Sequence, residues 1–264
     1  MKNNFIHICF IIDESGSMIG SESDIIGGFN KLVEEQKEVK DGQCSVSFFS
    51  FNDEVKERFI GKDVNEVKPL TKGSLEVCLR SYTNATLNYS SIYQPSTDLL
   101  TEGKETLYEY WPNGCTAMND GIGTAIDKIG KWLNDMPEEE RPSKNLIVIM
   151  TDGEENASRE YKLAKVQEMI KHQTEKYNWS FIYMGMDITN KKTADDLGIS
   201  SRSFSSKSSG SVYKNYSNLG NSATMYRCCC DTVTASATMD AYLNTELKND
   251  TALYEAEKGI KIED

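Results

Sequence analysis

The first apolar segment of the chain, Phe5 to Ile12, is broken only by His7 and does not alternate with polar residues as a half-exposed strand would. Such a run predicts a strand buried on both faces of a parallel sheet. It ends at a carboxylate, Asp13. After a Ser- and Gly-rich turn, Ile25, Ile26, Phe29, Leu32 and Val33 recur at helical spacing and predict a helix to about Lys40. Cys44 to Phe51 and Val55 to Ile60, separated by Asn52-Asp53, predict two strands joined by a tight turn. The cleanest stripe is Met118, Ile122, Ala125, Ile126, Ile129, Trp132 and Leu133, the signature of an amphipathic helix.

The strand, loop and helix order then repeats. Pro137 and Pro142 bracket an acidic loop, and Asn145 to Met150 predicts a second doubly buried strand that also runs into a carboxylate, Asp152. Leu163, Val166, Met169 and Ile170 mark the next helix, Trp179 to Met184 the next strand and Thr189 to Leu197 a short helix. This alternation predicts an α/β fold in three layers: a Rossmann-like open sheet, mostly parallel, with helices on both faces and right-handed crossovers. Residues 201–222, rich in Ser, Gly and Asn, predict loop or short edge structure. Beyond them the chain reads as helical in pieces, with Met239, Tyr242 and Leu243 as its best apolar face.

Length and charge narrow the function. At roughly 150 residues per domain, 264 residues admit one large or two small domains. The 29 Lys and Arg against 41 Asp and Glu give a net charge of -12, which disfavours binding to nucleic-acid phosphates. Seven cysteines, three of them adjacent at Cys228, Cys229 and Cys230, suit reduced thiols packed in or beside a helix better than a disulfide framework or a metal site. Phe5 to Ile12 is too short to span a bilayer and is followed by no small-residue cleavage site, so neither a signal peptide nor a membrane partner is expected. A cytoplasmic location follows, and triplets such as Asn84 to Thr86 then carry no glycan.

Ligands of open parallel sheets bind beyond the carboxyl ends of the strands. Two such ends carry Asp13 and Asp152. The first continues as Asp13-Glu-Ser15-Gly-Ser17, which puts a carboxylate and two hydroxyls in one turn between strand and helix. A further hydroxyl, Thr116, stands just before the striped helix. Hard oxygen donors of this kind suit Mg²⁺, with Mn²⁺ or Ca²⁺ as alternatives, better than Zn²⁺ or copper. With few anionic ligands, the ion keeps enough charge to accept a carboxylate from another molecule.

Asp13, Ser15, Ser17, Thr116 and Asp152 match one by one the metal-ion-dependent adhesion site of the von Willebrand factor A (vWA) domains, written Asp-x-Ser-x-Ser, then Thr, then Asp. The flanking words Ile11-Ile-Asp-Glu-Ser-Gly-Ser-Met18, Gly114-Cys-Thr-Ala-Met118 and Met150-Thr-Asp-Gly-Glu154 resemble the three loops of that family. The resemblance covers about residues 5 to 200. It implies direct coordination by Ser15, Ser17 and Thr116, with Asp13 and Asp152 acting mostly through water. It also implies an intracellular bacterial or phage type of domain, and a protein partner that supplies Asp or Glu to the metal. The organisation expected is a vWA-like domain over 1–222, carrying an insertion at about 61–113, and a helical extension over 223–264. Tyr82, Tyr89, Tyr93, Tyr108, Tyr110 and Trp111 crowd the insertion, part of which is expected to wall the site. Glu14, Glu154 and Glu155 are expected to oppose an acidic partner.

Other readings explain less. If Asp13 and the serines merely satisfied backbone N–H groups, the first loop would be explained and Thr116 and Asp152 would not. Gly121-Ile-Gly123 nearly spells a dinucleotide fingerprint but falls inside the striped helix, with Ile126 at the third glycine position. The chain has no phosphate-binding Gly-x-x-x-x-Gly-Lys run and no zinc spacing, and His7 and His172 read as structural. Neither serine sits in a Gly-x-Ser-x-Gly elbow, so an enzyme is not expected. A Mg²⁺-dependent phosphoryl-transfer hydrolase and a metal-stabilised assembly subunit are the runner-up readings.

Overall fold

Side chains alternate across a strand, and in β1 (Lys2–Asp13) that alternation sends Ile6, Ile8, Phe10 and Ile12 into one apolar cluster and Cys9 and Ile11 into another. Both faces are covered, which is why the segment shows no polar side. The computed structural model describes residues 2–73, 108–151, 154–185, 191–199, 204–205, 220–227, 229, 234–235, 237–239 and 241. Further strands are β2 (Gln43–Phe51), β3 (Val55–Asp63), β4 (Leu70–Lys72), β5 (Tyr108–Tyr110), β6 (Pro142–Thr151), β7 (Ser180–Gly185) and β8 (Phe204–Ser205). Six of them form one sheet in the order β3-β2-β1-β6-β7-β8, in which only the β2–β3 pair is antiparallel. β4 and β5 pair in parallel as a separate ribbon.

One face carries α1 (Glu22–Glu38), which buries Ile25, Phe29, Leu32 and Val33 together with Leu70 and Tyr110 of the ribbon. The other face carries α2 (Met118–Asp135) and α3 (Leu163–Tyr177), with Ala194 and Leu197 at and after α4 (Lys191–Asp196). The fold is the three-layer α/β arrangement the pattern predicts. All seven residues of the α2 stripe join the second cluster, with Trp132 and Leu133 half-buried at its margin. The glycines of the near-fingerprint serve close packing in α2: a Cβ on Gly121 would meet the Phe51 ring and one on Gly123 the Tyr161 ring. No helix among the described residues is long and apolar enough to cross a membrane.

Several boundaries differ from the pattern. β6 starts at Pro142, whose missing N–H is tolerated at the first residue of a strand. β3 runs on to Asp63, into the segment expected to be inserted. Leu163 is exposed at the first turn of α3, whose buried face is Val166, Met169 and Ile170. Residues 220–227 are helical, and Ala223, Tyr226, Ala235 and Met239 enter the same cluster as β1, β2 and α1. Two buried cations fasten this segment, one to β6 and the other to the end of α1 and the turn that follows it. Lys144 Nζ donates to the carbonyls of Tyr226, Arg227 and Cys229 at 2.8, 3.0 and 2.5 Å. Arg227 donates to the carbonyls of Gln36 and Gly42, each at 2.9 Å. Tyr242, Leu243, Cys228, Cys230 and residues 74–107 lie outside the described residues.

Candidate metal centre

At the carboxyl end of β1 the chain leaves the sheet through a turn built around one carboxylate. Asp13 is fully buried; its Oδ1 accepts from the Ser15 N–H at 2.7 Å and its Oδ2 from the Thr151 hydroxyl at 2.6 Å. Thr151 ends β6, the parallel neighbour of β1, so one carboxylate ties the two central strand ends. Above it, Ser15 is buried and Ser17 exposed, with their hydroxyl oxygens 3.0 Å apart. Asp13, Ser15 and Ser17 thus rise from floor to mouth of one loop.

Thr116 is brought to this loop by backbone. Gly16 N–H donates to Gly114 O at 3.0 Å, and Asn113 N–H to Glu14 O at 2.7 Å. Gly114 has φ 77°, and a Cβ there would overlap the Asp53 carboxylate, which itself accepts the Cys115 N–H at 3.1 Å. The Thr116 N–H donates to Asn156 Oδ1 at 2.9 Å, and its carbonyl accepts the N–H groups of Asn156 and Ala157 at 3.0 and 3.1 Å. None of these bonds uses the Thr116 hydroxyl. Asp152 follows Thr151 directly and lies outside the described residues.

The charges expected to repel an anion are largely committed elsewhere. Glu14 is buried and forms a two-pronged bond with Arg58 Nη2 at 2.8 and 2.9 Å, with Lys56 at 3.7 Å. Burial pulls the Lys56 ammonium below its ordinary value, and the Glu14 carboxylate opposes that shift. Glu155 folds onto the start of α2, accepting from the N–H groups of Asn119, Ala157 and Ser158 at 2.7, 3.0 and 2.8 Å. Asp120 likewise accepts from the N–H groups of Arg159, Glu160 and Tyr161. Of the three glutamates, Glu154 alone is exposed.

The sequence reading missed Thr151, Asn156 and Arg58; Tyr110, one of the aromatics of the segment expected to wall the site, donates its hydroxyl to Asp13 O at 2.7 Å. That last bond brings the end of the 61–113 segment against the Asp13–Ser17 loop. Arg58 reaches Glu14 from β3, across β2, which lies between β3 and β1 in the sheet. The exposed Cys115 thiol is held above its ordinary value by the neighbouring Asp53 carboxylate.

The donor set fits a hard divalent ion. The Ser15 and Ser17 hydroxyls, hydrogen-bonded to each other at 3.0 Å, are near enough to serve as adjacent ligands of an octahedral Mg²⁺, whose oxygens at about 2.1 Å stand about 3.0 Å apart. Among the described residues, which do not include Asp152, no three His, Cys, Asp or Glu side chains gather to hold a metal.

No sequence family and no curated protein matches the chain. Solved structures of similar shape include proximal thread matrix protein 1 from the mussel byssus, at 15% identity and TM-score 0.48, covering 83% of this chain and 46% of that one. The PilB minor pilin from Streptococcus sanguinis aligns at 12% identity and TM-score 0.46, over 84% of this chain and 62% of that one. The vWF domain of the type V pili tip protein Mfa5 from Porphyromonas gingivalis aligns at 10% identity and TM-score 0.48, over 85% of this chain and 96% of that one. The chain spans only 46% and 62% of the first two. These are distant likenesses, and the architecture of this chain rests on its own strand order and register.

Proposed function

We propose that this chain is a binding module, not an enzyme, that holds Mg²⁺ through a vWA-type adhesion site and uses it to capture a carboxylate of a protein partner. The observation that carries the reading is the Ser15–Ser17 hydroxyl pair, 3.0 Å apart and seated above the buried Asp13 carboxylate. Ser15, Ser17 and Thr116 would hold the ion, with Asp13 and Asp152 behind them. A bound Mg²⁺ would supply a coordination position for an anionic oxygen. The protein's own part is to keep the three loops in register: Asp13 fixes the first to β6, the Gly16–Gly114 bond joins the second, and Asn156 fixes Thr116. Because Glu14 is paired with Arg58 and Glu155 is turned onto three backbone N–H groups, the approach of an acidic partner is opposed chiefly by Glu154. Four of the cysteines, Cys9, Cys44, Cys115 and Cys229, are free thiols, in keeping with work in the cytoplasm.

The test is capture by the immobilised chain from a lysate of its own host. A partner retained in Mg²⁺, released by EDTA and lost with Thr116→Ala supports the reading, and turnover of phosphate esters in Mg²⁺ or Mn²⁺ would favour the hydrolase instead. Capture undiminished by EDTA and by Thr116→Ala would place recognition on another surface.

A further inference from the structure

The three peptide groups that follow Asp13 are each bonded at both ends. The Asp13 carbonyl accepts from the Tyr110 hydroxyl at 2.7 Å, and the Glu14 N–H of the same peptide donates to Phe51 O at 2.7 Å. In the next, the Glu14 carbonyl accepts from the Asn113 N–H at 2.7 Å, and the Ser15 N–H donates to Asp13 Oδ1 at 2.7 Å. In the third, the Ser15 carbonyl accepts from the Met18 N–H at 3.1 Å, and the Gly16 N–H donates to Gly114 O at 3.0 Å. A peptide group is planar, so bonds at both its ends fix the direction in which the chain leaves it. The hydroxyls of Ser15 and Ser17 are carried on this pinned run.

Tyr110, Asn113 and Gly114 come from one stretch of chain, which begins in β5 and runs on to Thr116. β5 belongs to the separate two-stranded ribbon, and two short strands are not stable alone. The ribbon is fastened to α1 by Asn30, whose side chain donates to Leu70 O at 2.9 Å and accepts from the Leu70 N–H at 2.7 Å. Of the three residues, Tyr110 alone reaches the loop through a side chain. Its ring is fully buried in the cluster that holds Met18, Phe29 and Leu70, where a Phe ring fills the same space but for one oxygen. A hydroxyl is costly to bury without a partner. Here the partner is the carbonyl of Asp13, the residue whose carboxylate stands behind the two serines.

We propose that Tyr110 is a positioning residue of the metal centre: its hydroxyl holds the Asp13–Glu14 peptide at the angle that sets the Ser15 and Ser17 hydroxyls for one ion. The proposal rests on the metal reading above and ties that site to the β4–β5 ribbon. Without the hydroxyl, one end of the first peptide is free, and part of the ion's binding energy goes into restoring the loop.

The experiment is a calorimetric titration of Mg²⁺ into the unaltered full chain, Tyr110→Phe and Tyr108→Phe, at a temperature where melting curves in EDTA show all three folded. Tyr108 is the control on the same ribbon, since its hydroxyl accepts from Lys62 Nζ at 2.7 Å instead of bonding the loop. Tyr110→Phe is expected to weaken Mg²⁺ binding about fivefold, and Tyr108→Phe to leave it within about twofold of the unaltered chain. An affinity of Tyr110→Phe equal to that of the unaltered chain, or an equal loss in both variants, would overturn the proposal and leave the metal reading intact. No saturable heat with the unaltered chain would overturn both.

Discussion

The two ends of the central sheet solve opposite problems with opposite charges. At the carboxyl end the unpaired backbone groups are N–H donors of turns and of the start of α2, and acids satisfy them: Asp13, Asp120 and Glu155. At the amino end the unpaired groups are carbonyls at the ends of α1 and of the 220–227 helix, and bases satisfy them: Lys144 and Arg227. This follows from the direction of the peptide dipole, since helices in such a fold start at one end of the sheet and finish at the other. The difference teaches what each end has left over. Acids spent on backbone N–H groups leave the hydroxyls of Ser15, Ser17 and Thr116 as the donors of the upper loops; bases spent on carbonyls tie α1 and the 220–227 helix to each other and to β6.

The comparison breaks most visibly at Glu14, a buried carboxylate of the upper end that is paired with a cation instead of with backbone N–H groups. Arg58→Met strands the buried Glu14 charge beside the metal loop, and is expected to cost about 3–5 kcal/mol. Glu14→Leu combined with Arg58→Met should recover most of that loss in chemical denaturation, because a buried pair replaced by apolar groups leaves no charge unpaired. A double variant no better than Arg58→Met alone would show that the loop needs the pair for another reason.

At the lower end, Lys144→Met removes the donor shared by three carbonyls and should lower stability by about 3 kcal/mol, with hydrogen exchange at 220–227 accelerating before the rest of the sheet. Uniform acceleration across β1 and β6 would show that this helix does not open separately.

His7 lies on β1 between the two ends, against Trp132 at a ring separation of 4.7 Å and bonded to the Ser45 hydroxyl at 2.9 Å. Burial pushes its imidazole down to about 3, so the folded chain keeps it neutral where the unfolded chain, titrating near 6.5, takes up a proton. Stability is therefore expected to fall as pH drops from 6.5 towards 3, by about 1.4 kcal/mol per pH unit. His7→Gln should flatten that part of the profile, and an unchanged slope would assign it to carboxylates.

The smallest of these effects is at the cap of α2. Glu155→Gln weakens bonds to three N–H groups and should cost about 1 kcal/mol, while Glu154→Gln, which removes an exposed charge, should leave the melting temperature unchanged and tighten capture of an acidic partner. Equal melting shifts for the two would contradict the division between an engaged and a solvent-facing glutamate.

The contrast between the ends also explains what the amino-acid sequence reveals. β1 and the α2 stripe are legible because their signal is local: an apolar run without alternation, and an apolar position every three or four residues. The hydroxyls and Asp13 are legible as one short word at a strand end. Glu14 reads as a repelling charge because its neighbours Ser15 and Ser17 face the loop mouth, whereas its partner Arg58 comes from a strand more than forty residues away. Lys144 and Arg227 are illegible for the same reason: their acceptors lie 82 to 191 residues off in the chain. An isolated Lys in a strand carries no mark of the helix end it will cap.

The central claim is tested most directly by titrating Mg²⁺ into the chain and into Ser17→Ala and Thr116→Ala, following heat release and melting temperature. These two substitutions are cleaner than Asp13→Ala, which also removes bonds to Ser15 and Thr151. A ligand that binds only the folded state adds about 2.7 kcal/mol at a hundredfold excess over its Kd. The account predicts that Mg²⁺ raises the melting temperature of the unaltered chain, that both variants lose most of that rise, and that all three melt alike in EDTA. Melting curves of the unaltered chain and both variants that respond identically across the Mg²⁺ titration, with no saturable heat, would contradict it.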